Sequence, residues 1–207
     1  MERGKYFVID GGEGCGKTMQ AELLFNYLKE KKIPCYLGRE PGGIKAAEEM
    51  RNILKHNSED ISSIGELFGF EFARAEFFDK IVIPKLNEGI NVISDRSGYS
   101  TIAYQGYGGN VKIEWIELMN RIAMTGIKPD IAFIIDINPE QGLEKELVKD
   151  NRFSNKGIEY HKRVRQGYLD VAENNKNCVL IKYRLNGIED MQQQIRNYVE
   201  YSMIKRD

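Results

Sequence analysis

Five short apolar runs recur along the chain, and each is followed by a segment with a different apolar spacing. The runs lie at Tyr6–Asp10, Cys35–Arg39, Ile90–Asp95, Ile131–Asp136 and Val179–Tyr183. Runs of this length that are rich in Val, Ile and Phe are typical of strands buried on both faces of a sheet. The pattern therefore predicts five strands.

The segments between these runs favour helices. From Lys17 to about Lys32, the apolar residues Ala21, Leu24 and Leu28 recur at helical spacing. Similar patterns cover about Lys45–His56, about Ile64–Leu86 and Glu189–Ile204. Strands that alternate with helices predict an α/β fold, with a five-stranded parallel sheet between two helical layers.

The chain contains no internal repeat and no low-complexity linker. We therefore expect a single domain over residues 1–207. A polar stretch at about 144–157 separates two helical patterns. It predicts a short inserted lid within this domain.

Composition excludes several classes of protein. The 30 Lys and Arg residues nearly balance the 31 Asp and Glu residues, which argues against a general nucleic-acid binder. The first apolar run is too short for the core of a signal peptide, and no run approaches the ~20 residues of a membrane span.

Three widely spaced cysteines form no metal or redox motif and favour the reducing cytoplasm. The isolated His56 and His161 are interpreted as surface helix residues rather than catalysts.

A glycine-rich turn after the first strand carries the first chemical signal. It fits the pattern G-x-x-x-x-G-K-[ST] and lies between a predicted strand and a predicted helix, as a phosphate-binding P-loop does. Its backbone N–H groups and the start of the helix favour phosphate, while the Lys reaches the β- and γ-phosphates and the Thr coordinates Mg²⁺. The predicted ATP-binding residues are Gly11, Gly12, Glu13, Gly14, Cys15, Gly16, Lys17 and Thr18.

The P-loop indicates a nucleotide but not a reaction. A GTPase would need an N-K-x-D motif, which the sequence lacks. A motor or transport ATPase is usually longer, so a small-molecule kinase is favoured. The fold class that follows is a P-loop NTPase-type three-layer sandwich.

Three further segments lie in the order found in one kinase family. They are R-E-P-G-G at 39–43, L-F-G-F-E-F-A-R at 67–74 and D-R-x-x-x-S-T-x-A-Y-Q-G at 95–106. Together with the P-loop they resemble thymidylate kinases of the nucleoside-monophosphate kinase group. The sequence departs from that family at Ser97, where Tyr or His is preferred, and at Gly38, where Thr is common.

The resemblance implies an acceptor site. Arg39 and Arg96 would hold the acceptor's phosphate, Phe70 would stack on thymine, and Arg74 would hydrogen-bond the base. The other implied lining residues are Ser100, Thr101, Tyr104 and Gln105. From the residues alone, Phe70 is equally consistent with core packing, and Ser100 with a helix cap. An arginine among the apolar and aromatic residues of 67–78 needs a partner, because an unpaired buried charge is costly.

The remaining predictions concern phosphoryl transfer. Thr18 and Asp95 are the predicted Mg²⁺ ligands, and Asp10 resembles the acid that orients the acceptor phosphate or a metal-bound water. A cation near the transferred phosphoryl group accelerates such reactions. In thymidylate kinases this cation is an arginine of either the P-loop or the lid, and the variable P-loop positions here hold no arginine. The resemblance therefore points to the lid, with Arg152 as the best candidate and Lys149 next. The predicted catalytic residues are Lys17, Asp10, Arg96 and Arg152.

The resemblance implies ATP-dependent phosphorylation of dTMP to dTDP by a homodimer. Two alternatives stay open: a kinase for another deoxynucleotide or nucleoside, and a non-catalytic ATP-binding regulator. Cys15 also allows two interpretations. Its place beside a helix N-terminus and Lys17 predicts a lowered thiol pKa and alkylation that ATP blocks. The other interpretation is an inert small residue fitted into the loop.

Overall fold

A computed structural model of the chain describes residues 2–56, 60–145 and 152–204. Its strands are β1 (Tyr6–Gly11), β2 (Cys35–Arg39), β3 (Asn91–Asp95), β4 (Ile131–Asp136) and β5 (Cys178–Lys182). They form one parallel sheet in the order β2-β3-β1-β4-β5. All five predicted strands are confirmed, with boundaries that shift by a single residue at most.

The helices follow the predicted alternation. They are α1 (Lys17–Glu30), α2 (Lys45–His56), α3 (Ser63–Phe77), α4 (Ile83–Asn87), α5 (Gly98–Thr101), α6 (Ile113–Ala123), α7 (Pro139–Lys145), α8 (Ile158–Asn174) and α9 (Ile188–Ile204). A π-helical segment, Phe78–Val82, joins α3 to α4, so the predicted helix over 64–86 exists as one rod. A second π-helical segment, Ile102–Gly108, continues α5. None of the described helices is long and apolar enough to cross a membrane.

Both faces of the sheet are buried. On β1, Phe7 and Ile9 point to the side covered by α1 and α9. Tyr6 and Val8 point to the opposite side and pack under the α3–α4 rod. This alternation places helices on both faces, and it confirms the predicted three-layer α/β sandwich.

The sheet brings the candidate site together at its carboxyl edge. Arg39 at the end of β2 is in register with Asp95 at the end of β3, and Asp95 is in register with Ile9 of β1. The P-loop therefore begins beside Asp95. Ligands of open parallel sheets bind at this edge.

Candidate active site

The P-loop depends on glycines at two positions. Gly14 and Gly16 have φ angles of +66° and +84°, which side chains rarely tolerate. A Cβ at Gly14 would lie 2.0 Å from the carbonyl oxygen of Gly142. Helix α1 begins immediately afterwards, with no side chain capping its first N–H groups. These groups and the helix dipole favour an anion.

Lys17, the first residue of α1, folds back over the loop. Its Nζ donates to the Gly12 carbonyl oxygen at 3.0 Å and lies 3.9 Å from Glu13 Oε2. The side chain is buried against these groups. An ammonium held in this way faces the space enclosed by the loop and can meet phosphate there.

Thr18 and Asp95 form a pair suited to a divalent cation. The Thr18 hydroxyl donates to Asp95 Oδ2 at 2.6 Å. Asp95 Oδ1 is buried and has no hydrogen-bond partner among the described residues. Within those residues, no group of three or more His, Cys, Asp or Glu could hold a metal. Mg²⁺ at a nucleotide site needs only one or two carboxylates, since phosphates and water complete its ligands. Thr18 and Asp95 therefore fit it.

Asp10 is a fully buried acceptor of hydrogen bonds. Its Oδ1 accepts from the hydroxyls of Ser100 and Tyr168, both at 2.7 Å, and from the Gly11 N–H. Its Oδ2 accepts from both the N–H and the hydroxyl of Ser97. These bonds tie the P-loop to the segment after β3 and to α8, so Asp10 orients several residues of the site.

Arg96, Glu13 and Tyr104 form a charged cluster between the P-loop and the segment after β3. Arg96 has a φ of +75° and donates to Glu13 at 3.1 and 3.3 Å, while its guanidinium lies 5.2 Å above the Tyr104 ring. The Tyr104 hydroxyl donates to Glu13 at 2.8 Å. Burial acts to raise the pKa of Glu13, but Arg96 and Lys17 outweigh it and lower that pKa to about 2. Glu13 is therefore charged at neutral pH.

A cavity opens beside this cluster and collects most of the predicted acceptor residues. The predicted residues that line it are Phe70, Arg74, Arg96, Ser100, Thr101, Tyr104 and Gln105. Arg39 does not line it but borders the neighbouring cleft that contains Thr18 and Asp95. There Arg39 is half exposed and donates to both oxygens of Glu48, at 3.0 and 3.1 Å.

Arg74 already has protein partners. Its guanidinium is fully buried and donates to Glu40 at 2.6 Å, to Glu71, to Asn120 at 2.9 Å and to Thr101 at 3.0 Å. Burial opposes the charge, but Glu71 and Glu40 outweigh it and raise the pKa of Arg74. The buried charge expected to need a partner is therefore paired with two carboxylates. The guanidinium is held in place by these bonds and forms part of the cavity wall.

Three aromatic rings, those of Phe70, Tyr104 and Phe153, line the same cavity. Phe70 is partly buried, and its ring centre lies 5.8 Å from that of Phe153. Tyr104 meets the same Phe153 ring edge-on at 6.0 Å. Phe153, which was not singled out from the sequence, thus joins the cavity wall from the lid segment. Tyr104 and Phe153 are buried and Phe70 is partly exposed, so Phe70 is the ring of this group on which a planar base can stack.

The described part of the lid segment is anchored to α2 and α3. Residues 146–151, including Lys149, lie outside the described residues. Arg152 donates to the carbonyl oxygens of Leu54 and Ile61 and to Glu66 Oε1, the last at 3.1 Å. Lys156 approaches the same Glu66 oxygen at 3.3 Å. Arg152 therefore points towards α3 and is not among the residues that line the acceptor cavity.

Comparison with known sequences bears directly on this arrangement. Residues 9–195 match the family model described as thymidylate kinase. The chain belongs to the thymidylate kinase family. This membership confirms the resemblance carried by the P-loop and the three acceptor segments.

Individual relatives agree over most of their length. A thymidylate kinase of Chlorobaculum parvum is 39% identical over 176 residues, which is 80% of this chain and 81% of the relative. One of Dehalococcoides mccartyi is 36% identical over 169 residues, covering 81% and 82%. The crystal structure of thymidylate kinase from Ehrlichia chaffeensis superposes with a TM-score of 0.77 at 32% identity, covering 95% of this chain and 99% of that one.

Two departures from the thymidylate kinase pattern have local explanations. A Cβ at Gly38 would lie 2.6 Å from the Phe77 ring, so this ring occupies the space that a side chain would need. Ser97 caps α5 by accepting from the Tyr99 N–H, and it donates to Asp10. A small hydroxyl suits both contacts.

The structure decides between the two interpretations of Cys15, and it overturns the expectation for one histidine. Cys15 is fully buried in the core under β1, and burial raises its thiol pKa instead of lowering it. The interpretation as an inert, fitted residue agrees with this environment. His161 is not a surface residue: it is only 4% exposed, and its Nε2 has no partner among the described residues. His56, by contrast, is exposed at the end of α2, as expected.

Sequence reasoning missed two charged residues of the cavity. Glu40 lines it and accepts from Arg74, and Lys55 lines it from the last turn of α2. Glu40 stood in the R-E-P-G-G segment but was given no role. For Lys55 the available signal was its position one helical turn after Arg51, on a helix that follows the same segment.

Proposed function

We propose that the chain transfers the γ-phosphoryl group of ATP to dTMP in the presence of Mg²⁺, producing dTDP and ADP. The observation that carries this proposal is the acceptor cavity beside the P-loop, whose lining combines the aromatic rings of Phe70, Tyr104 and Phe153 with the buried Arg74 and the phosphate-binding candidate Arg96. Family membership supports the same reaction.

The donor side uses the P-loop. The N–H groups at the start of α1 and the ammonium of Lys17 bind the phosphates of ATP, and they fix the γ-phosphoryl group near the acceptor cavity. Thr18 and Asp95 would hold Mg²⁺, which supplies positive charge to the phosphate oxygens when bound.

The acceptor side orients the nucleophile. Arg96 and Arg39 hold the phosphate of dTMP, because planar guanidinium groups match a phosphate dianion. Phe70 stacks on the base, and Arg74 presents its edge to the base; Ser100, Thr101, Tyr104 and Gln105 complete the wall. Asp10 orients Ser97, Ser100 and Tyr168. Catalysis then rests on positioning and charge stabilisation.

The lid contributes by closing the cavity. The contacts of Arg152 with Glu66 and with α2 hold Phe153 in the cavity wall, which supports a role in excluding water. The direct catalytic role predicted for Arg152 stays a prediction. It requires that the guanidinium leave Glu66 and turn towards the phosphates.

A panel of acceptors tests the proposal. Release of ADP is measured with dTMP, dUMP, dAMP, dCMP and dGMP at fixed ATP and Mg²⁺. We expect the highest kcat/KM with dTMP. Comparable turnover with another monophosphate but not with dTMP would establish a different kinase, and ATP binding without any transfer would establish a regulator.

We also propose that the chain forms a homodimer through α3 and α6. Ile64, Phe68 and Phe72 recur at four-residue spacing on α3, and Trp115, Leu118 and Ile122 at similar spacing on α6; all six are exposed. These two helices pack side by side, so the exposed residues form one apolar stripe. Sedimentation equilibrium should give twice the chain mass, and Phe68→Glu should give the monomer.

The proposed compartment is the cytoplasm. Cys15, Cys35 and Cys178 are all free thiols in the structure. Free cysteines are typical of a reducing compartment, which supports this location.

A further inference from the structure

Lys55 places an ammonium group in the wall of the acceptor cavity. It lies in the last turn of α2 and is half-buried, and it shares the cavity wall with Glu13, Arg96 and Phe153. Its carbonyl oxygen accepts from the Arg152 N–H at 3.2 Å, which fixes the end of α2 against the lid segment. Helix α2 and the lid segment therefore both hold the backbone from which this side chain extends.

The charges around Lys55 are mostly of its own sign. Arg96, Arg51 and Lys17 all act on it, and Glu13 is the carboxylate that acts in the opposite sense. Glu13 already accepts from Arg96 and Tyr104. Within the described residues, the Lys55 ammonium makes no ion pair with any carboxylate. Burial, then Arg96 and Arg51, lower the pKa of Lys55 to about 7.

The positive surroundings of Lys55 favour an anion that carries more than one negative charge. A phosphate monoester carries up to two negative charges and accepts strong hydrogen bonds from ammonium and guanidinium groups. The other phosphate-binding candidate in this wall, Arg96, lies close to Lys55. A phosphate bound to Arg96 would therefore act on Lys55 as well.

We propose that Lys55 determines affinity for the acceptor: the acceptor's phosphate dianion is its counter-ion, and binding transfers one proton from solvent to the Lys55 amine. This inference rests on the proposed function. It assigns to this chain a phosphate ligand on α2, apart from Arg39 and Arg96. No covalent bond of the substrate changes in the step.

Other charged and titratable groups near Lys55 must be distinguished from it. Glu13 in the P-loop, Arg96 after β3 and Tyr104 in the π-helical segment share the cavity wall with it. Lys17 on α1 and Arg51 on α2 act on its charge without lining the cavity, and the Arg152 N–H of the lid segment contacts its backbone carbonyl oxygen. The pKa of Glu13 is about 2, and the pKa of Tyr104 is raised, so neither gains a proton near pH 8. Glu40 is the second group of this cavity with a pKa of about 7. Any proton that Glu40 takes up is taken up by the wild type and by the Lys55 variants alike, so it cancels in the comparison.

Titration calorimetry measures how many protons the protein takes up when dTMP binds. dTMP is titrated at pH 8 into the full chain, in two buffers that differ in ionisation enthalpy. At this pH the phosphate is already a dianion, because its second pKa is about 6. We expect the wild type to take up close to one proton more than Lys55→Arg, whose guanidinium is always charged. Lys55→Met should bind dTMP roughly tenfold more weakly.

Three controls test whether the proton uptake depends on the phosphate of dTMP and on Lys55 in particular. Thymidine, which lacks the phosphate, should bind without the proton uptake that depends on Lys55. ATP alone should not produce that uptake either. Lys45→Met changes a lysine of the same helix that is 92% exposed, and it should match the wild type.

Kinetics provide a second readout. KM for dTMP should rise between pH 7 and pH 9 in the wild type, since free Lys55 loses its proton there, and should rise less in Lys55→Arg. KM for ATP should show no such difference. Equal proton uptake by the wild type and Lys55→Arg would overturn the inference, and so would uptake with ATP alone. Failure of the wild type to bind dTMP would instead contradict the proposed function.

Discussion

The Glu40→Gln variant should gain stability relative to the wild type as the pH rises. Glu40 is buried, accepts from Arg74 at 2.6 Å and from the Tyr6 hydroxyl at 3.3 Å, and shares Arg74 with Glu71. Two buried carboxylates therefore share one buried guanidinium. Burial raises the pKa of Glu40 to about 7, although the attraction of Arg74 opposes this.

The size of the effect follows from proton linkage. The unfolded chain releases the Glu40 proton near its ordinary pKa of 4.5, whereas the folded protein keeps it until about pH 7. The stabilisation that this bound proton contributes is fully present below the pKa of Glu40 in the unfolded chain. It is lost as the pH rises through the pKa of Glu40 in the folded protein. A difference of about 2.5 units at 1.36 kcal/mol each corresponds to about 3 kcal/mol. Gln cannot titrate, so the variant avoids this loss.

Urea unfolding at pH 5, 6, 7 and 8, without ligands, measures the difference. The free energy of unfolding of Glu40→Gln minus that of the wild type should increase by about 2 to 3 kcal/mol over this range. Glu48→Gln is the control. Burial acts to raise the pKa of Glu48, but hydrogen bonds from Gly43 and Arg39 outweigh it and lower that pKa, so the midpoint of its titration lies below this pH range. A constant difference for Glu40→Gln would refute the reasoning.

Three further predictions concern the site. Phe70→Ala should raise KM for dTMP about tenfold through lost stacking while leaving KM for ATP nearly unchanged; an equal loss for both would mean that Phe70 serves the core. Thr18→Val should raise several-fold the Mg²⁺ concentration needed for half-maximal activity, and an unchanged Mg²⁺ dependence would remove Thr18 from the metal site. Iodoacetamide should modify Cys15 slowly both with and without ATP, because the thiol is buried and its pKa is raised; marked protection by ATP would contradict this.

The fold could be predicted because each of its elements is indicated by residues that lie close together in the sequence. Each strand is a continuous apolar run, and the P-loop combines a turn of glycines with the start of α1. The acceptor residues were placed through the resemblance of three segments to one kinase family; the residues themselves added that Phe70 and Arg74 lie one helical turn apart and that Arg96 follows a strand. Seven of the predicted acceptor residues indeed line one cavity.

The features that the sequence left open, missed or misjudged depend on tertiary packing. Cys15 is buried because the P-loop turns its side chain into the core between β1 and α1. His161 is buried because α8 packs beside β4 and α7, which its own sequence does not show. Lys55 belongs to the cavity because α2 packs on α3 and ends beside the lid segment. Such contacts depend on distant parts of the chain.

Glu66 connects the lid with the floor of the acceptor cavity. This carboxylate is 1% exposed; one oxygen accepts from Arg152 and Lys156 of the lid segment, and the other accepts from Gln105 of the cavity at 3.0 Å. Opening the lid would strip a buried anion of both cations. If residues 152–156 belong to a lid, as we propose, electrostatics would therefore disfavour its open form even without nucleotide. Raising the ionic strength would weaken the more exposed Lys156 contact first, so salt concentration becomes a means of adjusting how often the cavity is open.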